Sequence, residues 1–349
     1  MQNHKPQSYI FMKNHIENLK IKNIFFRKNI HWDLKQVNVL VGKNGLGKTT
    51  ILNLINSALT HNPCKYLDIC DEVIVNLYNK EKYHALKENL TEDILNKMIQ
   101  EISTSNDVVD SIIKSIVKDQ KLSIPNRKIE NRIRKEIKEK IISEIKLDLT
   151  PKEGKKQKSG YKFGVNVKPI ETVFISTSNM NVSATNDVMT SSGSHVKFLN
   201  VEINHEIEKL IKNDKKNPDY RIQEKFIESL NTFLVESKKK AVISKNVLEI
   251  LLYDDNILDF EYLSSGERQI LFILLKVANS AFDGTIILMD EPEISLHLSW
   301  QEKLLDEITK LNSSSQIIIV THSPAIVMNG WFDCLTEIKD IFVDSTEDI

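Results

Sequence analysis

Apolar and polar positions along the 349-residue chain change their period several times, and each change marks an element. Residues 19–24 (LKIKNI) alternate as a half-buried strand does, and 72–78 (EVIVNLY) carry a second strand pattern. The run LKQVNVLV at 34–41 ends as an apolar strand, and TILNLINSA at 50–58 then takes helical spacing. From 80 the pattern turns helical. Val108, Val109, Ile112, Ile113 and Ile116 mark one stripe, and Ile129, Ile133, Ile137, Ile141 and Ile145 a second, flanked by Lys, Arg and Glu. A short apolar strand follows at 172–176, and then a Ser/Thr/Asn-rich stretch at 176–194 that reads as a mobile loop. Helical periodicity resumes through Ile207, Leu210, Ile211 and then Ile222, Phe226, Ile227, Leu230 and Leu234, to about 240. The last hundred residues alternate: strand 247–253, helix 265–281, strand 285–289, helix 300–311, strand 316–320. The strands IILM (286–289) and IIIV (317–320) are apolar throughout, as central parallel strands covered on both faces are. This order predicts an α/β fold with helices on both faces of its sheet.

Composition narrows the classes. The apolar content of 41% permits a full core, and a formal net charge of -1 gives no global field toward nucleic acid or membrane. The charge is uneven, however. Between Lys121 and Gly160 there are thirteen Lys/Arg against six Asp/Glu, ending in the basic stretch of Lys155, Lys156 and Lys158. Cys64, Cys70 and Cys334 show no C-x-x-C spacing, which suits a reducing compartment. The N-terminal residues are polar and lack an apolar signal core, and no apolar run approaches the length of a membrane span. The expectation is a cytoplasmic protein with no membrane contact.

The chemistry concentrates at three places. Gly42, Lys43, Asn44, Gly45, Leu46, Gly47, Lys48 and Thr49 satisfy G-x-x-x-x-G-K-[ST] between a predicted strand and a predicted helix. In that context successive backbone N–H groups and the helix N-terminus cradle phosphate. Lys48 is placed to reach the β/γ-phosphates of a nucleotide, Thr49 to ligate Mg²⁺, and Thr50 to continue the helix start at the site. Asp290 and Glu291 end an apolar strand, where Asp290 can hold Mg²⁺ and Glu291 can polarise a water as general base. Ser264, Ser265, Gly266 and Glu267 open a predicted helix with hydroxyls and free N–H groups, a second anion site.

These motifs, with Thr321–His322–Ser323 after another buried strand, resemble those of the ABC-class ATPases of the RecF, SMC and OLD kind. Gly42 to Thr49 looks like Walker A, Leu263 to Glu267 like the signature motif, Asp290–Glu291 like Walker B, and His322 like the switch histidine. The resemblance implies an ABC-type P-loop ATPase head, a mixed sheet with helices on both faces, carrying an α-helical insertion. It also implies ATP and Mg²⁺ as ligands and a homodimer sandwiching two ATP molecules. In that dimer Ser264, Ser265 and Gly266 of one copy face the γ-phosphate held by Lys48 of the other, and His322 touches the same phosphate. The run DEPEISLH from Asp290, followed by Trp300–Gln301, is similar to OLD-family heads and to anti-phage defence ATPases such as those of Septu and retron systems. Glu293 to His297 then corresponds to the D-loop, which crosses the dimer interface. Two positions depart from the pattern: Ser265 stands where many relatives carry glycine, and no glutamine closely follows the 72–78 strand to serve as a Q-loop residue.

The resulting map is a polar tail at 1–15, an N-terminal head lobe at 16–79, a basic helical insertion at 80–168, a subdomain at 169–245 and a C-terminal head lobe at 246–349. The leading expectation is an ATP-driven dimeric switch of an anti-phage defence complex. Its effector, a nuclease or toxin, would sit on a separate chain, since about seventeen residues follow Phe332. The alternative is a RecF-like DNA repair or recombination ATPase, with DNA or RNA contacted through the stretch from Lys121 to Lys158.

Overall fold

The computed structural model describes residues 14–26, 28–88, 139, 160–164, 167–177, 187–189, 195–281 and 285–343. It divides into two compact units, Met1–Leu86 with Phe163–Ile349, and Lys87–Lys162. Apart from exposed, helical Glu139, the helical stripes at 108–116 and 129–145 and the basic run between Lys121 and Lys158 lie outside the described residues.

The strands in chain order are β1 (Ile16–Ile24), β2 (Lys28–Asp33), β3 (Val37–Val41), β4 (Glu72–Leu77), β5 (Lys82–Glu88), β6 (Gly160–Phe163), β7 (Thr172–Ser176), β8 (Asp187–Met189), β9 (His195–Lys197), β10 (Lys239–Ser244), β11 (Val247–Leu252), β12 (Ile257–Leu258), β13 (Ile286–Asp290), β14 (Gln316–Thr321), β15 (Leu335–Glu337) and β16 (Phe342–Val343). The helices are α1 (Lys48–Thr60), α2 (Phe198–Lys216), α3 (Ile222–Leu234), α4 (Ser265–Asn279) and α5 (Leu298–Leu311).

The α/β class is as expected, but the strands do not form one mixed sheet. In the larger unit β16, β2, β1, β4 and β5 stand side by side and antiparallel. A second sheet, ordered β15-β3-β14-β13-β7, is parallel throughout. Gln316, fully buried at the start of β14, ties the two together. Its Oε1 accepts from the Ile16 amide at 2.7 Å, and its Nε2 donates to the carbonyls of Ile16 at 2.9 Å and Lys35 at 2.8 Å.

Alternation explains why the parallel strands read as continuously apolar. Val37, Val39, Ile287, Met289, Ile317 and Ile319 face the core made with α2 to α5. Their neighbours Leu40, Ile286, Leu288, Ile318 and Val320 are equally buried but point the other way, toward the face where α1 packs on β7, β13 and β14. Both faces are therefore covered. On the helical side Phe226 and Phe233 of α3 are fully buried, and the Phe233 ring meets Trp300 of α5 edge-on at 5.6 Å.

Three local expectations are corrected. Residues 82–88, grouped with the helical insertion by composition, form β5, because Tyr83 and Ala85 point inward and pair with β4. Within the stretch expected as a loop, Asp187–Met189 is a strand paired with β9. Helix α3 ends at Leu234 rather than near 240. A 3₁₀ turn at Val235–Ser237 and Lys238 in the left-handed region (φ 56°) turn the chain into β10 instead.

Truncating the most enclosed ring of this core has a defined cost. Phe226→Ala should lower unfolding free energy by about 3–5 kcal/mol, read by urea denaturation. A loss below about 1 kcal/mol would place Phe226 outside the core.

Candidate nucleotide site

β3 leads directly into the loop that ends at Gly47, and α1 begins at Lys48. Gly45 (φ 79°) and Gly47 (φ 96°) occupy the left-handed region, where a side chain would be strained. Gly47 also passes under an aromatic ring, since a Cβ there would lie 2.6 Å from Phe25 Cζ. Asn44 and Gly45 form the exposed tip of the loop, whereas Lys48 and Thr50 are buried. The first turn of α1 has neither a side-chain cap nor an acidic residue. Its N–H groups and its positive dipole end are thus left for an outside anion.

Lys48 is 4% exposed, and its Nζ donates to the carbonyl of Gly42 at 2.7 Å and to that of Lys43 at 3.3 Å. Burial pulls its ammonium below the ordinary lysine range, against the raising influence of Glu291, Glu293 and Asp290. Nζ also lies 3.2 Å from His322 Nδ1 and 3.0 Å from Nε2, while Nε2 is 3.0 Å from Glu291 Oε1. One proton arrangement satisfies all three groups: Lys48 donates to Nδ1, and Nε2–H donates to Glu291. Thr49 donates its hydroxyl to Asp290 Oδ1 at 2.8 Å. Asp290 is 7% exposed. Burial raises its carboxyl above the usual range, Thr49 opposes this, and Glu291 and Glu293 add to it.

The donor set fits a nucleotide with a divalent cation. A buried ammonium, an open helix start and a hydroxyl–carboxylate pair converge, and among the described residues Lys48 is the one ammonium acting on the carboxylates of Asp290, Glu291 and Glu293. Lys48 would hold phosphate oxygens, and Thr49 and Asp290 would hold Mg²⁺, which would draw negative charge off the transferring phosphoryl group. Glu291 leaves the sheet in the left-handed region (φ 52°) after its amide has donated to Val320 O at 2.8 Å, and its carboxylate is thereby aimed at His322.

The Ser264 to Glu267 motif is built as a helix cap. Ser264 accepts from the Glu267 amide at 3.2 Å, and Glu267 Oε2 accepts from the Ser264 amide at 2.7 Å, a reciprocal capping box. Glu267, expected among the nucleotide-contacting residues, is 3% exposed, and Lys239 and Ser237 engage its carboxylate at 2.8 and 2.7 Å. Its part here is structural. Ser264 and Ser265 are exposed. Gly266 is buried, and a Cβ on it would meet Ser295 O at 2.7 Å.

Sequence reasoning missed the clasp between these parts. Gln269 Nε2 donates to Pro292 O at 2.6 Å. Glu293 Oε1 accepts from the amides of His322 at 2.9 Å and Ser323 at 3.3 Å. Ser323 Oγ donates to Gln301 Oε1 at 2.6 Å, and Gln301 Nε2 donates to Leu296 O at 2.9 Å. The signal for Glu293 was a second acid two residues after Glu291.

The sequence profile of the AAA ATPase domain family matches residues 12–327. Among curated proteins, the "Retron Ec83 probable ATPase" of Escherichia coli is 32% identical over 91 residues, covering 23% of this chain and 17% of that protein. The "Septu protein PtuA" of Bacillus thuringiensis is 34% identical over 103 residues, covering 26% of this chain and 25% of that protein. The matched parts thus span a quarter or less of these relatives' own lengths. The SMC head domain from Thermotoga maritima superposes with a TM-score of 0.44 at 11% identity, covering 96% of this chain and 100% of that one. An SmcHead bound to the C-winged helix domain of ScpA gives 0.47 at 13% identity, covering 90% and 91%.

The raised Asp290 pKa has a consequence for stability. The native state holds a proton where the unfolded chain has lost it, so this carboxyl destabilises the fold at every pH above its native pKa. The penalty fades as pH falls to the ordinary carboxylate range near about 4. Asp290→Asn, which keeps an acceptor for Thr49, should therefore melt above wild type at neutral pH without nucleotide, with the gap closing as pH falls. A thermal melt series in which wild type is the more stable at pH 7.5 would contradict this.

Proposed function

Since the chain belongs to the AAA ATPase domain family, we propose that it is an ABC-class ATPase in which two copies close over two ATP molecules, acting as a switch for an effector on a separate chain. The convergence of Lys48, Thr49–Asp290 and Glu291–His322 at the ends of neighbouring strands carries this reading. Lys48 and the α1 start bind and orient the phosphates. Glu291 takes a proton from the attacking water, and His322 holds the Glu291 carboxylate in place. Ser264, Ser265 and Gly266 of the second copy complete the site across the interface. In support, Ser264, Ser265, Ile294 and Leu298 are all exposed, and Gly266 lies against Ser295.

The defence setting is supported by the retron and Septu names of the two partial relatives, which agree with the resemblance read from DEPEISLH. A DNA-repair role would draw on the basic stretch from Lys121 to Lys158, outside the described residues, and no observation here favours it. Among the described residues no helix is long and apolar enough to cross a membrane.

Glu291→Gln should bind ATP without turning it over and shift from monomer to dimer on gel filtration in ATP and Mg²⁺. A monomer at saturating ATP would sink the sandwich. Affinity purification of this variant under the same conditions tests the setting: a nuclease or toxin should come with it, whereas DNA with recombination proteins and no effector would replace the defence reading.

Lys48→Ala should lose the stabilisation that ATP gives wild type, about 2.7 kcal/mol at a ligand concentration of 100 Kd. An undiminished ATP-induced rise in Tm would remove Lys48 from the site.

A further inference from the structure

We propose that Glu293 is a positioning residue that ties the loop after β13 to the backbone of His322, so that whatever covers the tip of that loop sets where the His322 imidazole stands. This rests on the reading of Glu291 and His322 as the hydrolytic pair, and it assigns a task to a carboxylate which that reading leaves idle.

Glu293 is 7% exposed, and its Oε1 is shared by two consecutive main-chain amides, those of His322 and Ser323. Its Oε2 is buried without a hydrogen-bond partner among the described residues. A lone buried carboxylate oxygen is costly, and an apolar side chain would avoid that cost. The charge stands close enough to raise the pKa of both Lys48 and Asp290. An ionised carboxylate makes stronger bonds to amides than a neutral acceptor does, and here both amides belong to the residue that touches Lys48 and Glu291 and to its neighbour.

The other end of the tie reaches an exposed loop tip. The loop is bracketed by Glu291 (φ 52°) and Ser295 (φ 71°), both in a region that non-glycine residues seldom occupy. Ile294 and Ser295 form its exposed tip. Its underside touches α4 twice, through Gln269 to Pro292 O and through Gly266 against Ser295 O. A second copy pressing on Ile294 and Ser295 would displace a loop whose next inward contact is Glu293. The partner's arrival is thereby converted into a position for His322 without any contact to His322 itself.

The test is a double-mutant cycle on the full-length chain, with kcat and KM for ATP measured separately. Glu293→Ala should lower kcat about 10–100-fold, the cost typical of losing a group that orients a reacting side chain, with KM within about threefold. Glu293→Gln keeps an acceptor and should recover most of that loss. In a His322→Ala background Glu293→Ala should change kcat less than about twofold, because its effect runs through His322. Equal losses in both backgrounds, a raised KM with kcat kept, or Glu293→Ala at wild-type kcat would each overturn the proposal. If Glu293→Ala does not fold, Glu293→Asp replaces it. One methylene shorter, it keeps the charge but not the reach, so it should lose kcat likewise, and wild-type kcat in it overturns the proposal. Amide hydrogen exchange gives a readout independent of turnover: the His322 and Ser323 amides should lose at least about tenfold protection in Glu293→Ala. Unchanged exchange there defeats the tie itself. Faster exchange in Glu293→Ala, alongside a wild-type protein that hydrolyses no ATP, would leave the tie standing and defeat only the hydrolysis reading.

Discussion

The geometry of the site depends on the register of three buried parallel strands. Val41 of β3 lies opposite Thr321 of β14, and Val320 lies opposite Asp290 of β13, so all three strands end level. Parallel strands deliver their following residues to the same edge, which is why ligands of open α/β sheets gather there. Lys48 follows β3 by one loop, Asp290 ends β13 with Glu291 just after it, and His322 follows β14 at once. A slip of one residue in any of these pairings would reverse which face each side chain meets. The register is secured by burial on both faces and by Gln316, whose side chain fixes the start of β14 against Ile16 and Lys35.

Gathering these residues has an electrostatic cost. Lys48 and Asp290 are both drawn toward their neutral forms by burial. Three carboxylates surround one ammonium, an imbalance that stabilises neither the fold nor the site on its own. A bound cation and polyphosphate would rearrange that balance, since the cation meets the carboxylates and the phosphates meet Lys48 and the helix start. Lys48 is also bonded to His322, and phosphate oxygens at this place would compete with the imidazole for the same ammonium protons.

The sequence made the site legible because phosphate chemistry constrains spacing locally. Glycine at 45 and 47, lysine at 48 and acids at 290 and 291 sit within short windows beside apolar runs, and the structure brings them together. What was not legible depends on distant partners. The bonds of Glu267 to Lys239 and Ser237, about thirty residues away, and its place in the capping box of α4 were not readable from the local motif. The separation into two sheets depends on hydrogen-bond pairing that strand patterns alone do not encode. Residues 82–88 alternate weakly (KYHALKE), and only packing of Tyr83 and Ala85 on the β4 side shows them to be a strand. The helical signal past Leu234 failed for a backbone reason, a left-handed lysine at 238.

Two adjacent residues show how the exposed serines of α4 keep their place relative to α5. Glu236 accepts from Trp300 Nε1 at 2.9 Å, Ser299 Oγ at 3.0 Å and Lys303 Nζ at 2.6 Å, all in the first turns of α5. Its neighbour Ser237 donates to Glu267, the cap of α4. Lys303 first, and then Ser299 and Trp300, hold the Glu236 carboxyl below its usual range. Burial pushes Glu267 upward, yet Lys239, Ser237 and the Ser264 amide together keep it low as well. Both carboxylates are therefore committed to these bonds at neutral pH, and the turn that bears Glu236 and Ser237 joins the starts of two helices. The loop with Glu293 touches α4 below and leads through Leu296 into α5. The starts of α4 and α5 are thus tied to each other through Glu236 and Ser237 on one side and through the loop with Glu293 on the other, and the exposed Ser264 and Ser265 are held in place relative to α5 by both.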